Sequence, residues 1–487
     1  MQAILTEVFK FEKFPGVDPF SVYRQSILRY GNQHAFLAES ISGPSEDCRH
    51  SLVAIGHLAT INMTQDVISI HANDVIEKHL IKTIETSLLG EIEFDVSGEA
   101  KIKSKKQIWE VLRSLATSSY SSKSISNGFH AGFVARIDYD AATLIEDIVW
   151  RMPRRPSPLI RLDLFQHTAV FQEDSIYLYV NRACGFDEPV VADLKSLFTP
   201  AEQLQKFIPS SMDVVFSSTK EEYLLACHKA LEHIHAGDIY QVQLGHSISI
   251  RNEMPAGILY SLLRDKNPSP YMFLHQASDM SLVGASPENY VRVEGRRLSM
   301  RPIAGTLGKS ADLNAQKLYA ELISSGKENA EHIMLVDLCR NDIGRLCEPG
   351  TLTVPSLMKI EEFPSLYHLV STVEGSLKPE IDPIDVLMAT FPAGTMVGAP
   401  KIRAMEIIED LERSPRGQYA GAIGFIGFDG SMNMALCIRM ACHQDEKYEI
   451  RASAGIVYDS EPEREWQETL TKMRLLYRAL TNEEIRS

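Results

Sequence analysis

Four glutamates occur as two pairs of equal spacing: Glu328 and Glu331 in KENAEHIMLVDL, and Glu465 and Glu468 in SEPEREWQETLTK. On a helix, at about 100° per residue, each pair shares a face, and Lys472 falls within about 60° of Glu465 and Glu468. A solvated charged face with an i,i+4 Glu–Lys pair explains the second pair by itself. The first pair is different. The turns that follow Glu331 are apolar almost all round, which predicts a buried helix, and buried carboxylates need a partner. One cation between two such helices satisfies both. Ligation by carboxylate oxygen alone suits a hard ion that keeps its waters, Mg²⁺ over Zn²⁺.

Other residues could handle an anion. FPAGTMVGAPKIRAM (391–405) sets small residues before Pro400 and Lys401, at the start of a helix; the pattern serves an anion site or a structural turn equally well. Gly305 and Thr306 end a strand in RPIAGT, where backbone can approach a ligand closely. Glu288 follows a strand in GASPE, and a loop there could aim it into a cavity. Arg439 is the sole charge in MALCIRMA and requires an anion partner if buried. His368, in SLYHLVSTVEG, and Tyr419, in RGQYAGAIGF, are by themselves ordinary core residues.

The elements that position these groups are readable. Ser460 and Glu463 predict a capping box, with Pro462 in the first turn, and Leu470, Met473, Tyr477 and Leu480 form the expected buried stripe. Helices are expected at about 327–338, 400–412 and 462–480. KEEYLLACHKALEHIHAG is another helix, and the alternating DIYQVQLGHSISI a strand. Strands in runs, interspersed with helices, predict an α+β fold with antiparallel sheets. The Lys/Ser-rich segment 97–127 is expected to hold a solvated helix, KKQIWEVLRSLA.

Bulk properties narrow the classes. With 487 residues the chain can bury a large core, and a formal charge of −15 gives no electrostatic support to a nucleic-acid partner. No apolar run reaches the roughly 20 residues that cross a bilayer. MQAILTEVFKFEKF places charges where a signal peptide needs an apolar stretch, so no membrane association and a cytoplasmic location are expected. Seven cysteines, an odd count with no CxxC pair, read as reduced thiols.

Taken together, these segments resemble the chorismate-utilising enzymes, and most closely anthranilate synthase component I. The landmarks are GDIYQVQLG (237–245), NPSPYMF (267–273), GASPE (284–288), RPIAGT (301–306), KENAEHIMLVDLCRNDIGR (327–345), HLVSTVEG (368–375), FPAGTMVGAPKIRAM (391–405), RGQYAGAIGF (416–425) and SAGIVYDSEPEREWQETLTK (453–472). FLAES (36–40) and HAGFVARIDYD (130–140) carry the likeness into the N-terminal third. The resemblance implies a β-sandwich-like core of antiparallel sheets flanked by helices. It implies an N-terminal region (1–210) with a regulatory tryptophan site, and a chorismate-binding catalytic domain (211–487).

It also implies roles. Glu328, Glu331, Glu465 and Glu468 would hold Mg²⁺ against the ring carboxylate of chorismate. Glu288 would protonate the departing C4 hydroxyl, and His368 would assist the later proton removal. Thr306 would act beside them. Gln241, Ala304, Gly305, Tyr419, Arg439, Ala454, Gly455 and Lys472 would line the substrate site. Glu39, Ser40, Asn267, Pro268, Pro270, Tyr271 and Met272 would take tryptophan as a feedback inhibitor. Isochorismate synthases carry a water-activating lysine where Gln241 stands, and aminodeoxychorismate synthases commonly carry a ring-attacking lysine where Ala304 stands. Amination ortho to the carboxylate, by ammonia, is therefore expected. No Gly-x-Cys-x-Gly segment is present, so the ammonia would be free or come from a separate glutamine amidotransferase.

The expected activity is Mg²⁺-dependent conversion of chorismate to anthranilate with loss of pyruvate. Val397 stands where Ser or Thr is frequent, and Ser453 where many relatives have Gly. Both leave room for an aminodeoxyisochorismate synthase, which aminates without eliminating pyruvate. Para amination by an aminodeoxychorismate synthase and a non-catalytic chorismate- or tryptophan-binding subunit are further alternatives.

Overall fold

The computed structural model describes the chain except residues 1, 49, 122–128, 155–156, 203, 205–206, 208–212, 309–325, 363–365 and 486–487; the side chains of 305–308, 326–328 and 366 also lie outside the described set. One continuous antiparallel sheet dominates it. Its N-terminal strands include β1 (Ala35–Glu39), β2 (Ser51–Met63), β3 (Gly132–Ile137) and β4 (Ile160–Gln172). The middle of the chain adds β5 (Gln241–Arg251), β6 (Tyr271–Gln276), β7 (Ser281–Ser286), β8 (Asn289–Glu294), β9 (Arg297–Met300), β10 (Ile303–Gly308) and β11 (Leu366–Ser376). The C-terminal part adds β12 (Ala422–Gly427), β13 (Met432–Leu436), β14 (Met440–Gln444) and β15 (Lys447–Ile456).

The long pair β2 and β4 is the hub from which two arms run. One arm continues from β2 through β1, β6, β7, β14 and β15 to β5. The other leaves β4 through β3, β12, β13, β8 and β9 to β11, which also pairs β10. The arms face each other across an apolar layer in which Phe36, Phe273, Leu282 and Met440 meet Val134, Ile423 and Phe425. The Phe36 and Phe425 rings meet edge-on, 5.5 Å between centroids. Burying each such side chain is worth about 1.5–3 kcal/mol. This is the expected α+β, sandwich-like arrangement. Strands from either side of residue 210 are neighbours in it, as β3 with β12 and β1 with β6.

Five helices concern the site: α1 (Lys220–His235), α2 (Ala256–Lys266), α3 (Gly326–Gly344), α4 (Lys401–Leu411) and α5 (Pro462–Thr481). A Thr219–Glu222 capping box starts α1. Helix α5 buries Leu470, Met473, Tyr477 and Leu480 as its pattern requires. Its cap differs from expectation. Glu461 is the N-cap without a side-chain hydrogen bond, while Ser460 Oγ accepts the Val457 N–H at 3.0 Å. The hydroxyl is taken by the preceding turn before the helix can use it. The 105–114 helix is also not the solvated element expected, because Ile108, Trp109, Val111 and Leu112 are buried. Its apolar stripe outweighs its flanking lysines.

Candidate active site

The strands β5 and β15 pair along ten residues and set Gln243 opposite Gly455. A methyl group at Gly455 would lie 2.7 Å from Gln241 Nε2 and 3.0 Å from Gln243 Nε2, so a larger residue there would displace the amide ends of both side chains. Gln241 is buried, and its Oε1 has no hydrogen-bond partner among the described residues. Two residues along β15, Ser453 Oγ donates to Gln243 Oε1 at 3.2 Å and lies 2.8 Å from the Tyr419 hydroxyl. Lys472, on α5, donates to the Ser453 carbonyl at 2.8 Å and pairs with Glu468 Oε1 at 2.5 Å. Ala454, the next residue on β15, is buried.

A charge cluster holds this wall in place. Glu412 accepts the Gly245 N–H at 2.8 Å, Arg416 Nη2 at 2.9 Å and Arg451 Nη2 at 2.6 Å. Burial would raise the Glu412 carboxyl, but the two guanidiniums outweigh it and hold the group below its ordinary range. The cluster joins β5, β15 and the loop carrying Tyr419. Arg416 also donates to the Met396 carbonyl at 2.7 Å, which fixes the small-residue loop above.

Glu288 sits between β7 and β8. It is buried, and burial pushes its carboxyl up to about 8, although the Thr395 hydroxyl and the Lys472 ammonium pull the other way. At neutral pH it is therefore a protonated acid. Its neighbourhood is fixed by Arg301, which grips Glu361 at 2.7 Å and Asp47 at 2.5 Å just before β10. His368 is buried on β11, opposite Thr306 on β10, across a bulge between Ala304 and Thr306. Ala304 is partly buried; the Thr306 side chain is outside the described residues. His332 Nε2 lies 2.6 Å from Ser371 Oγ and pins α3 to β11, so Glu331 rides beside the His368 strand.

Arg439 is partly buried at φ 50°, between Tyr419 and Glu468. Burial lowers its guanidinium, although Tyr419 and Glu468 pull the other way, and no ion pair forms within 4 Å among the described residues. Lys401 is the reverse case. It pairs with Asp342 at 2.9 Å and donates to the Thr390 carbonyl, so the 391–405 turn is structural in its lysine.

The metal set is the part that the described residues do not gather. No three His, Cys, Asp or Glu side chains among them converge, and the Glu328 side chain lies outside them. Glu465 is buried and within electrostatic reach of Tyr223 and Cys227, while Glu468 is held by Lys472. An all-carboxylate donor set nonetheless fits a hard dication in its chemistry.

A cavity of about 500 Å³ opens between the arms and is lined by Glu39, Ser40, Pro270, Tyr271 and Met272. Asn267 caps α2 and, with Pro268, does not line it. Glu39 faces α2: it accepts from Tyr260 at 2.6 Å and from both Arg264 Nε and Nη2 at 3.0 Å. Ser40 Oγ donates to the Pro270 carbonyl at 2.8 Å. Thr395, Gln243 and Glu412 were not singled out from sequence. Thr395 and Gln243 stood inside quoted motifs, but their roles, like that of Glu412, become visible only through their partners.

Residues 78–478 match the chorismate binding enzyme family. A 2-amino-4-deoxychorismate synthase from Streptomyces globisporus is 39% identical over 95% of this chain and 94% of its own length. Anthranilate synthase component 1 from Aquifex aeolicus is 42% identical over 64% of this chain, which spans 63% of that relative. The crystal structure of anthranilate synthase component I from Streptococcus pneumoniae TIGR4 superposes with a TM-score of 0.72 at 30% identity, covering 88% of this chain and 92% of that one. The Escherichia coli menaquinone-specific isochorismate synthase, at 18% identity and a TM-score of 0.68 over 98% of this chain and 94% of its own, shares the fold. With the family matched over most of its length and the fold shared by these structures, the chain belongs to the chorismate binding enzymes.

Proposed function

We propose that the chain aminates chorismate at C2 and then expels pyruvate, as the chorismate-converting component of an anthranilate synthase. The observation that carries amination is Gln241. Its buried amide carbonyl has no partner among the described residues. It can accept an N–H from ammonia but, being uncharged and non-basic, cannot deprotonate water. Ala304 offers no ring nucleophile of its own, which supports the ortho position.

Ammonia's lone pair forms the C2–N bond, the ring double bond shifts, and the C4–O bond breaks. Glu288 gives its proton to the leaving hydroxyl, which departs as water; the buried, uncharged carboxyl suits that task. His368 then takes the C2 proton, the C3–O bond breaks, and the enolpyruvate released gains a proton to become pyruvate as the ring aromatises. Thr306 lies opposite His368 in the ladder and would position the substrate there. Arg439 and Lys472 meet the carboxylates, with Tyr419 and the Gly455 backbone beside them. Glu328, Glu331, Glu465 and Glu468 would hold Mg²⁺, which when bound would neutralise the ring carboxylate. Ammonia would be free or supplied by a glutamine amidotransferase, and the cavity at Ser40 would take tryptophan as inhibitor. No helix among the described residues is long and apolar enough to cross a membrane, and the seven cysteines are unpaired thiols; both accord with a cytoplasmic enzyme.

A second reading stops at the aminated intermediate. The Streptomyces relative that covers 95% of the chain is named for a product bearing nitrogen at C2 and lacking the C4 oxygen. Incubating the purified chain with chorismate, ammonium and Mg²⁺ separates the readings. Fluorescent anthranilate with equimolar pyruvate supports the first, and an aminated acid without pyruvate supports the second. Absence of any nitrogen-bearing product would remove both.

A further inference from the structure

We infer that Ser453 is a positioning residue that turns the Tyr419 proton away from the substrate. This follows from hydrogen-bond direction and rests on the proposed reading that Tyr419 lies beside a chorismate carboxylate. The Gln243 Oε1 is a carbonyl oxygen and only accepts, so the Ser453 proton goes to it across 3.2 Å. Ser453 Oγ then has only lone pairs left for Tyr419, 2.8 Å away. Tyr419 must donate there. A phenol carries a single proton, so its oxygen meets the site as an acceptor. Ser453 and Tyr419 are both buried, so water does not compete for these bonds. An acceptor oxygen opposes a carboxylate and welcomes an N–H. Anchoring of the carboxylate therefore falls to Arg439 and Lys472, and the Tyr419 oxygen stands beside it only as an acceptor.

With no side-chain hydroxyl at position 453, the Tyr419 proton is released to the substrate. The test is a double-mutant cycle on chorismate affinity, read both as KM and by equilibrium titration with Mg²⁺. Ser453→Ala, or Ser453→Gly should the alanine variant fold poorly, is expected to tighten chorismate severalfold with a smaller change in kcat. Tyr419→Phe should then cost about tenfold more affinity in the Ser453→Ala background than in the native one, the worth of a hydrogen bond to a charged group. Equal costs in the two backgrounds would overturn the inference, meaning that Gln243 presents its amide nitrogen and the relay runs the other way. A purely structural Ser453 would lower kcat and thermal stability together and leave no coupling. Product identity tests the amination reading separately: isochorismate formed with the coupling intact would discard that reading and keep the relay.

Discussion

Lys472 Nζ lies 2.5 Å from Glu468 Oε1, one turn away on the last helix, and 2.8 Å from the Ser453 carbonyl. The ammonium thus stands between a proposed metal ligand and the substrate wall. Lys472→Met should lower the Mg²⁺ concentration needed for half-maximal rate, since it frees Glu468, while raising the chorismate KM about tenfold. Glu468→Gln should lose about 10²-fold or more in kcat/KM with the fold intact. Initial rates across a Mg²⁺ titration check both; undiminished turnover under exhaustive chelation would remove the metal role.

Glu288 predicts a descending pH limb. Activity requires its proton, so kcat should fall as pH rises through about 8. The stability sign is the same. The folded state holds this proton more tightly than the unfolded chain, so stability declines between the ordinary carboxyl range and about 8. Glu288→Gln should therefore lose about 10²-fold or more in turnover yet unfold at a higher temperature than the native enzyme at pH 9. A pH-independent rate between 7 and 9 would count against the assignment.

Gln241→Lys places a base where the buried amide carbonyl now lies. Some water-derived isochorismate should appear beside the aminated product, detectable by chromatography of the reaction mixture. If none forms, the nucleophile is chosen elsewhere in the site.

Glu412 is the buried carboxylate on which two strands and the Tyr419 loop converge. Glu412→Ala strands Arg416 and Arg451 in the interior and should cost about 3–5 kcal/mol, measured by urea unfolding. Its carboxyl is held below the ordinary range, so its contribution is complete above that range and is lost as pH falls through the lowered value. Acid unfolding of the variant should consequently be less steep than that of the native chain.

The cavity at Ser40 is expected to bind L-tryptophan, raising the thermal midpoint and inhibiting turnover. Ser40→Phe should abolish both effects and leave the uninhibited rate within about twofold. Glu39 is already committed to Arg264 and Tyr260, so an inhibitor ammonium shares it rather than finding it free. No shift with tryptophan in the native enzyme would remove the regulatory reading.

Much of the fold was legible because periodicity is a local property. The stripe Leu470–Met473–Tyr477–Leu480 fixes the buried face of the last helix, and alternation along Gln241–Arg251 fixes a strand. Local competition was less legible. Ser460 serves the preceding turn instead of the helix, and the 105–114 helix is mostly core despite its lysines. Pairing across long separations was not legible at all. Lys401 looks like an anion ligand until Asp342, 59 residues earlier, is seen to take its charge.

The residue types and their order by themselves set the chemistry proposed for this chain. A glutamine and not a lysine at 241, an alanine at 304, an acid at 288 and a histidine at 368 are covalent facts that no packing alters. The tertiary structure decided which of those groups is charged and which way each proton points. Burial, and not spacing, makes Glu288 an acid at neutral pH. A hydroxyl on one strand and an amide on its neighbour turn the Tyr419 proton inward. Desolvation and hydrogen-bond direction depend on atoms from distant parts of the chain, so they exist only once the sheet has closed around the site.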